Sequence, residues 1–360
     1  METPLDGGRR THRGETLRRL VLINARALYW LSVDGNDNYA TMSRVSVIIP
    51  VRNGVATIRR TVDSALGQCE RPEVIVVDDG STDATPRILG SYGDQIKVLR
   101  QRNRGPSAAR NAGAAAASPD SEYFTFLDAD DVLLPGMLKT LTTELDTAAS
   151  VALAFCDVVP VDDYDHELDV NFIDEYTAHA PTMDELLTRW WPILTSAAVM
   201  RRAAFDHAGG FEESFTRPGF EDPYMWLTMR EQGDFAYVPQ RLVRYRTTPP
   251  SERMMKYAKG YRVFGRLVSQ RYGEAGQRLI RESSNAFVSA WGYAGLVALR
   301  DGDKLRARRA FACAMRYGPF QVRAASRWLR TFLPMSVVRV LSGRIVRGNR
   351  TKPELENYFR

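Results

Sequence analysis

In the stretch FTFLDADDVLLPG (residues 124–136), four apolar or β-prone residues lead into Asp128, Asp130 and Asp131, with Ala129 interrupting the acids. Three carboxylates so close together repel one another and need something positive beside them. Water and salt suffice if the run is a solvated turn; otherwise a bound cation does it. The choice depends on whether the strand before the acids belongs to a sheet that gathers other acidic ends.

Upstream, VSVIIPV (45–51) is a continuous apolar run with β-branched residues, the pattern of a strand buried on both faces. Asn53-Gly54 closes it, and ATIRRTVDSALGQ (56–68) sets Ile58, Val62, Ala65 and Leu66 on one helical stripe. EVIVVDD (73–79) is a second strand that stops at Gly80, where Ser81, Thr82 and Asp83 offer helix caps. IKVLR (96–100) reads as a third strand. The alanine-rich ARNAGAAAAS (109–118) reads as a helix opening after Gly105-Pro106. Strand YFTFL (123–127) and helix LPGMLKTLTTEL (134–145) follow. Strands alternating with helices imply βαβ crossovers and a mostly parallel sheet with helices on both faces, an α/β fold. Ligands in such sheets bind beyond the carboxyl ends of the strands. Asp78 and Asp79 fall at one such end and Asp128 to Asp131 at another, so both acidic groups are expected on one edge.

From about 150 to 250 the pattern is less regular, with a strand at VALAFCDVV, a helix at MDELLTRW, an apolar run ILTSAAVM and then EDPYMWLTMREQG. Beyond about 255 it reads mostly as helix, and AGLVALRDGDKLRARRAFACAMRYGP reads as a hairpin turning at Gly302 and Asp303. The expected organisation is an N-terminal extension (1–43), an α/β domain (44–250) and a basic helical C-terminal region (251–360).

The composition, 44% hydrophobic and 26% charged over 360 residues, is that of a folded chain with a large core. Cys69, Cys156 and Cys313 are far apart and odd in number, matching neither a disulfide framework nor a zinc spacing. Residues 304–350 hold twelve Lys or Arg and no acid, so the net charge of +6 belongs to this segment and residues 1–303 carry −6. The segment interleaves Arg with Trp328, Phe332, Leu333 and Val338. It fits either a basic amphipathic surface for an anionic membrane or a helical cap with a solvated arginine face. Nucleic acid is a weaker partner, since no zinc, RRM or helix-turn-helix signature accompanies the charge. SSNAFVSAWGYAGLVAL (283–299) is too short and too polar for a membrane span. The expected location is the cytoplasm, with peripheral contact at the inner membrane face.

D-x-D suits Mg2+ or Mn2+, which prefer carboxylate and water oxygens and keep substrate phosphates in the shell. VVDDGSTD (76–83) offers a carboxylate for a ribose hydroxyl or nucleobase, or simply a cap and turn. Neither a G-x-G-x-x-G fingerprint nor a P-loop is present to bind phosphates, and a metal-held diphosphate needs neither. Glu221 and Asp222 lie in the first turn of a helix, where the dipole alone favours acids. Arg244, Tyr245 and Arg246 fit either a diphosphate contact or a strand end with solvated charges. His166, His179 and His207 share no ligand spacing and are expected to be structural.

The order VSVIIPVRNG, VIVVDDGSTD, QRNRGPSAARNAG, FTFLDADD and GFEDPYMWLTMREQG resembles the family 2 glycosyltransferases with the GT-A fold, over roughly residues 44–246. The resemblance implies an inverting transfer of a sugar from a nucleoside diphosphate, UDP by preference, by a GT-A domain (44–250) with a nucleotide-sugar half (about 44–135) and an acceptor half (about 136–250). The acceptor hydroxyl belongs to a glycan, a lipid-linked glycan or a protein. It implies that Asp79 and Asp128, with Pro50, Arg52 and Asn53, hold the nucleotide sugar, and that Arg110 lines the donor pocket. Asp130 binds the divalent metal and Asp222, with Glu221 as competitor, is the general base. The family usually has an aromatic residue where this chain has Arg52, which leaves the nucleobase open. Two rivals remain: a non-catalytic partner subunit with the same fold, and a haloacid-dehalogenase-type phosphatase using Asp128.

Overall fold

The computed structural model describes residues 43–317 apart from 190, 217–218, 248–249 and 301, together with 328–329 and 331–332. The N-terminal extension, but for Ser43, and most of the basic stretch beyond Tyr317 lie outside the described residues.

One eight-stranded sheet contains β1 (Val45–Val51), β2 (Glu73–Asp78), β3 (Lys97–Arg100), β4 (Tyr123–Phe126), β5 (Val132–Leu133), β6 (Val151–Val161), β7 (Ala198–Arg201) and β8 (Asp234–Arg246). Their order is β3-β2-β1-β4-β7-β6-β8-β5. β1 is parallel to β2 and β4, β2 to β3, and β6 to β8. β7 runs antiparallel to both β4 and β6, and β5 to β8. All strands but β5 and β7 therefore point the same way. The carboxyl ends of β1, β2, β4, β6 and β8 share one edge with the amino end of β7.

The helices are α1 (Ile58–Leu66), α2 (Thr85–Gly90), α3 (Pro106–Ala115), α4 (Met137–Thr147), α5 (Met183–Leu186), α6 (Arg202–Ala208), α7 (Glu221–Arg230), α8 (Pro250–Arg300) and α9 (Lys304–Tyr317). They cover both faces, as the alternation predicts. Successive residues of a strand face opposite ways. In β1, Val45, Val47, Ile49 and Val51 pack with Ile58 and Val62 of α1 and Leu138 and Leu141 of α4, whereas Ile48 packs on the other side with Ala109 of α3 and the α7 side chains. The edge strand β3 is different: Lys97, Val98 and Arg100 are exposed, and charge on an edge discourages pairing with another chain. The expected helix MDELLTRW shortens to α5, closed at its start by a Thr182–Glu185 capping box.

α8 breaks at Gly273 (φ 55°, ψ −125°), and its two arms lie against each other, with the Tyr261 hydroxyl donating to the Ile280 carbonyl at 2.9 Å. The expected hairpin is present, α8 ending at Arg300 and α9 beginning at Lys304. Gly295 fits directly under the Phe311 ring, where a Cβ would come within 2.6 Å. These helices are not set apart from the sheet. Tyr261, Phe264, Val268 and Trp291 belong to the same buried cluster as β4, β6 and α7.

Candidate active site

The acidic loop after β4 is held from two sides. On one, the Thr61 hydroxyl in α1 lies 3.0 Å from the Ala129 carbonyl and 2.9 Å from that of Asp131. On the other, Ser196, just before β7, accepts from the Asp128 N–H at 3.1 Å and donates to Asp131 Oδ2 at 2.6 Å. Asp131 Oδ1 accepts the Arg246 N–H at the end of β8 (2.9 Å). Burial, with Asp130 and Asp128 nearby, pushes Asp131 well above the usual carboxylate range. Asp131 thus ties three strand ends together, while Asp130 is exposed and the Asp128 side chain is 40% exposed.

Arg110 lies at the centre of the site. Its guanidinium reaches Asp128 at 2.7 Å, Glu221 at 3.4 Å and Asp222 at 3.5 Å, and stacks over the Phe211 ring at 5.0 Å. Burial alone would lower its pKa, but Asp128, Asp222 and Glu221 raise it above the ordinary arginine value, so it stays charged. A buried arginine is tolerable only when paired in this way. The reach depends on where α3 begins. Gly105 caps it with φ 94°, and a Cβ there would meet the Thr216 carbonyl at 2.6 Å. Pro106 then supplies the first helical residue, whose missing N–H is an orphan anyway.

Glu221 and Asp222 open α7 after Phe220, whose left-handed backbone (φ 75°) turns the chain sharply into the helix. Glu221 is buried, accepts the Gly219 N–H at 2.5 Å, and is pushed up to about 7 by burial and by Asp222 against the pull of Arg110. Burial also raises Asp222, opposed by Arg110 and reinforced by Asp128. Only one of the pair faces the cleft: the Asp222 side chain is 24% exposed and that of Glu221 5%. From behind, Phe220 packs on Tyr261 and Phe264 of α8, with ring centroids 5.4 and 5.5 Å apart. Gly260 backs onto the Gly219 carbonyl so closely that a Cβ would lie 2.1 Å from it. The C-terminal helices therefore set the position of the carboxylate pair.

The other sequence-selected residues lie along the same edge. Asp79 is buried and accepts from Gln101 Nε2 (2.8 Å), the Arg104 N–H (2.8 Å) and the Gly105 N–H (2.9 Å), which fixes the loop leading into α3. Asp78 accepts the Ser81 N–H at 2.8 Å. Pro50 lies within β1, opposite Val77. Arg52 is exposed at the end of β1. Asn53, in left-handed backbone (φ 56°), donates its N–H to Ser81 Oγ (2.9 Å) and accepts the Thr82 N–H (2.8 Å), joining the ends of β1 and β2. Arg244 and Arg246 do not point freely into solvent. They are engaged by the turn after β6 through Glu167 (2.7 Å) and Asp165 (2.5 Å). His166 pairs with Asp162, His179 with Glu185, and His207 with the Ala203 carbonyl, all positioning their own loops or helices.

Three contributors escaped the sequence reading. Ser196 sits in an apolar run, and Thr61 in the helix beside the apolar stripe; neither carries a local signal. Asn111 stood beside Arg110 in the quoted motif, and its amide grips both backbone groups of Phe211, donating to the carbonyl (2.8 Å) and accepting from the N–H (2.9 Å).

Residues 46–209 match the family model described as glycosyl transferase family 2. That segment, just under half of the chain, is similar to the family 2 glycosyltransferases. It is 33% identical to the pre-mycofactocin glycosyltransferase of Mycobacterium tuberculosis over 210 residues, 56% of this chain and 42% of that protein. Over 122 residues it is 38% identical to the succinoglycan biosynthesis protein ExoO of Rhizobium meliloti, covering 33% of this chain and 34% of the relative. Over 104 residues it is 38% identical to the minor teichoic acid biosynthesis protein GgaA of Bacillus subtilis, covering 27% and 23%. The matches thus span less than half the length of these relatives. Among solved structures, S. aureus TarS in complex with UDP-GlcNAc superposes with a TM-score of 0.52 at 16% identity, covering 83% of this chain and 92% of that one. That likeness is one of fold, and it agrees with the α/β sheet expected from the alternating strands and with the GT-A fold that the resemblance implies.

Proposed function

We propose that this family 2 glycosyltransferase inverts the anomeric centre of a nucleoside-diphosphate sugar, with Asp222 as general base and Asp130 as metal ligand. The observation that carries this reading is the convergence of Asp128, Glu221 and Asp222 on the buried Arg110 at the edge where the parallel strands end. Asp222, being the exposed member of its pair, takes the proton from the acceptor hydroxyl. The acceptor oxygen bonds to the anomeric carbon as the bond to the diphosphate breaks. Because the leaving group is already activated, no second carboxylate is required on the sugar. Arg110 keeps positive charge beside Asp222, which favours the ionised base. Glu221 holds the start of α7 through Gly219 and is closed off from an acceptor.

The donor set fits a hard divalent cation. Asp130 is exposed and Asp128 partly so, on one short loop, and no group of three or more His, Cys, Asp or Glu among the described residues is placed to hold a metal ion by itself. Mg2+ or Mn2+ is typically held by one or two carboxylates with substrate phosphates completing the shell. Bound at Asp130, the ion would neutralise charge growing on the departing diphosphate as a Lewis acid. Asp79 and Asp128 hold the nucleoside, with Pro50, Arg52 and Asn53 lining its pocket, and UDP is the first nucleotide to test. The teichoic acid and succinoglycan names of two relatives support a glycan acceptor. No described helix is long and apolar enough to cross a membrane.

The test is a panel of UDP-, GDP- and dTDP-sugars with Mn2+ or chelator, reading nucleoside diphosphate released by slow hydrolysis, beside Asp130→Asn. Release from one donor, lost with chelator and in the variant, is the expected result. No release and no thermal stabilisation by any nucleotide would sink the reading.

A further inference from the structure

Three arginines from two elements, Arg60 of α1 and Arg244 and Arg246 of β8, meet at the turn after β6. Arg60 of α1 grips the Asp165 carboxylate with both terminal nitrogens, one of them at 2.8 Å from Oδ1. Arg246 of β8 reaches the same Oδ1 at 2.5 Å and donates to the Asp162 carbonyl at 2.7 Å. Arg244 pairs with Glu167 at 2.7 Å and donates to the Asp165 carbonyl at 2.9 Å. The Asp162 carboxylate is turned elsewhere, accepting the Tyr164 and His166 N–H groups and facing the His166 ring.

We propose that Arg60, Arg244 and Arg246 form a binding site for a phosphate group, which Asp165 occupies in the free chain as an internal stand-in. Forked pairing of arginine nitrogens with an oxyanion is the geometry by which arginine recognises phosphate as well as carboxylate. The Asp165 carboxylate leaves one donor unused: Arg246 Nε is buried with no hydrogen-bond partner, in a side chain only 10% exposed. A phosphate brings the further oxygen that a carboxylate lacks. Burial together with Arg246 and Arg244 lowers the Arg60 pKa, which reflects crowding of positive charge.

Asp165 is placed to yield. It sits at the tip of a short turn in left-handed backbone (φ 66°), which Asp tolerates, and its neighbour Tyr164 is 82% exposed. The site adjoins the proposed chemistry: the Arg246 N–H bonds Asp131, and Thr61, beside Arg60, holds the carbonyls of Ala129 and Asp131. The inference rests on the transferase reading only for the source of the phosphate, either the donor diphosphate or a phosphate on the acceptor.

The experiment is calorimetric titration of the full chain with inorganic pyrophosphate, without divalent metal, using wild type, Asp165→Asn, Asp165→Ser and Arg60→Met, each checked by thermal melting. Removing the stand-in is expected to tighten binding about ten-fold, and Arg60→Met to weaken it about ten-fold. Unchanged or weaker affinity in folded Asp165 variants, or wild-type affinity in Arg60→Met, would overturn the proposal. Repeating the titration with saturating UDP separates the sources: competition assigns the site to the donor diphosphate, and simultaneous binding to a phosphate on the acceptor. Since no sugar transfer is read, failure here is distinct from failure of the transferase assignment.

Discussion

On one flank of the Asp128–Asp131 loop a single buried arginine faces three carboxylates; on the other, three arginines reach two carboxylates. The first flank is closed and acid-rich. Arg110 is 3% exposed there, and carboxylate pKa values rise because burial and mutual repulsion outweigh a single cation. The second is more open and base-rich, with Arg60 at 45% and Arg244 at 28% exposure. An acid-rich flank suits removal of a proton from a hydroxyl, and a base-rich flank suits an oxyanion. The loop between them is where a leaving diphosphate and an incoming hydroxyl would meet.

This contrast can be broken most sharply at Asp222. Asp222→Asn is expected to lower kcat about 10^2- to 10^4-fold while leaving the fold intact, whereas Glu221→Gln lowers it far less. The opposite ranking would transfer the base to Glu221. In wild type the acid limb of kcat/KM against pH should lie above the ordinary aspartate value, since burial raises Asp222, and Glu221→Gln should leave that limb in place.

Arg110→Met comes next. Removing the one cation from beside buried Glu221, half-buried Asp222 and part-exposed Asp128 is expected to destabilise the chain by about 3 kcal/mol, less what solvent screens at Asp128, read as a shift in the denaturation midpoint. A change under about 1 kcal/mol would mean that solvent, and not Arg110, compensates the acids.

Gly260→Ala tests whether the C-terminal helices hold the carboxylate pair. Its Cβ would lie 2.1 Å from the Gly219 carbonyl, so a loss of about 1–3 kcal/mol is expected, with a fall in kcat that melting alone does not explain.

Glu221 also sets a pH dependence of stability. Its folded pKa of about 7 exceeds the ordinary 4.5, so the stability it contributes is full below about 4.5 and is lost as the pH rises through about 7. Unfolding midpoints measured from pH 4 to 8 should fall with pH in wild type and flatten in Glu221→Gln. The smallest effect is expected well away from the contrast. Arg44, half-exposed and paired with Glu122 and Asp146, should cost no more than about 1 kcal/mol on replacement by alanine.

Much of the first part of the sheet, β1 to β4, was legible in local pattern. Its four strands begin and end within a residue or so of the runs read from the sequence; in β1, β2 and β4 this is because a strand buried on both faces must be apolar at nearly every position, a constraint the exposed edge strand β3 does not share. The placing of Asp79 and Asp128 at strand ends followed from the same pattern. The second half was less legible: β5 has only two residues, and β7 emerges from an apolar run that periodicity cannot tell from a helix. The thirteen residues of β8 include Pro239, Gln240 and four arginines or aspartates, which blur the alternation a strand needs.

Residue order by itself determined which side chains are buried, where strands give way to acids, and which family the motifs resemble, because each depends on near neighbours. Only the tertiary structure decided that Arg110 serves Asp128, Glu221 and Asp222 at once, that Asp131 is a brace beside an exposed Asp130, and that Asp222 rather than Glu221 faces the cleft. Those outcomes join residues some 18 to 115 positions apart, and adjacent acids on one helix turn differ only in what packs against them. Charge compensation in a buried site is settled by distance in space, which spacing along the chain does not contain.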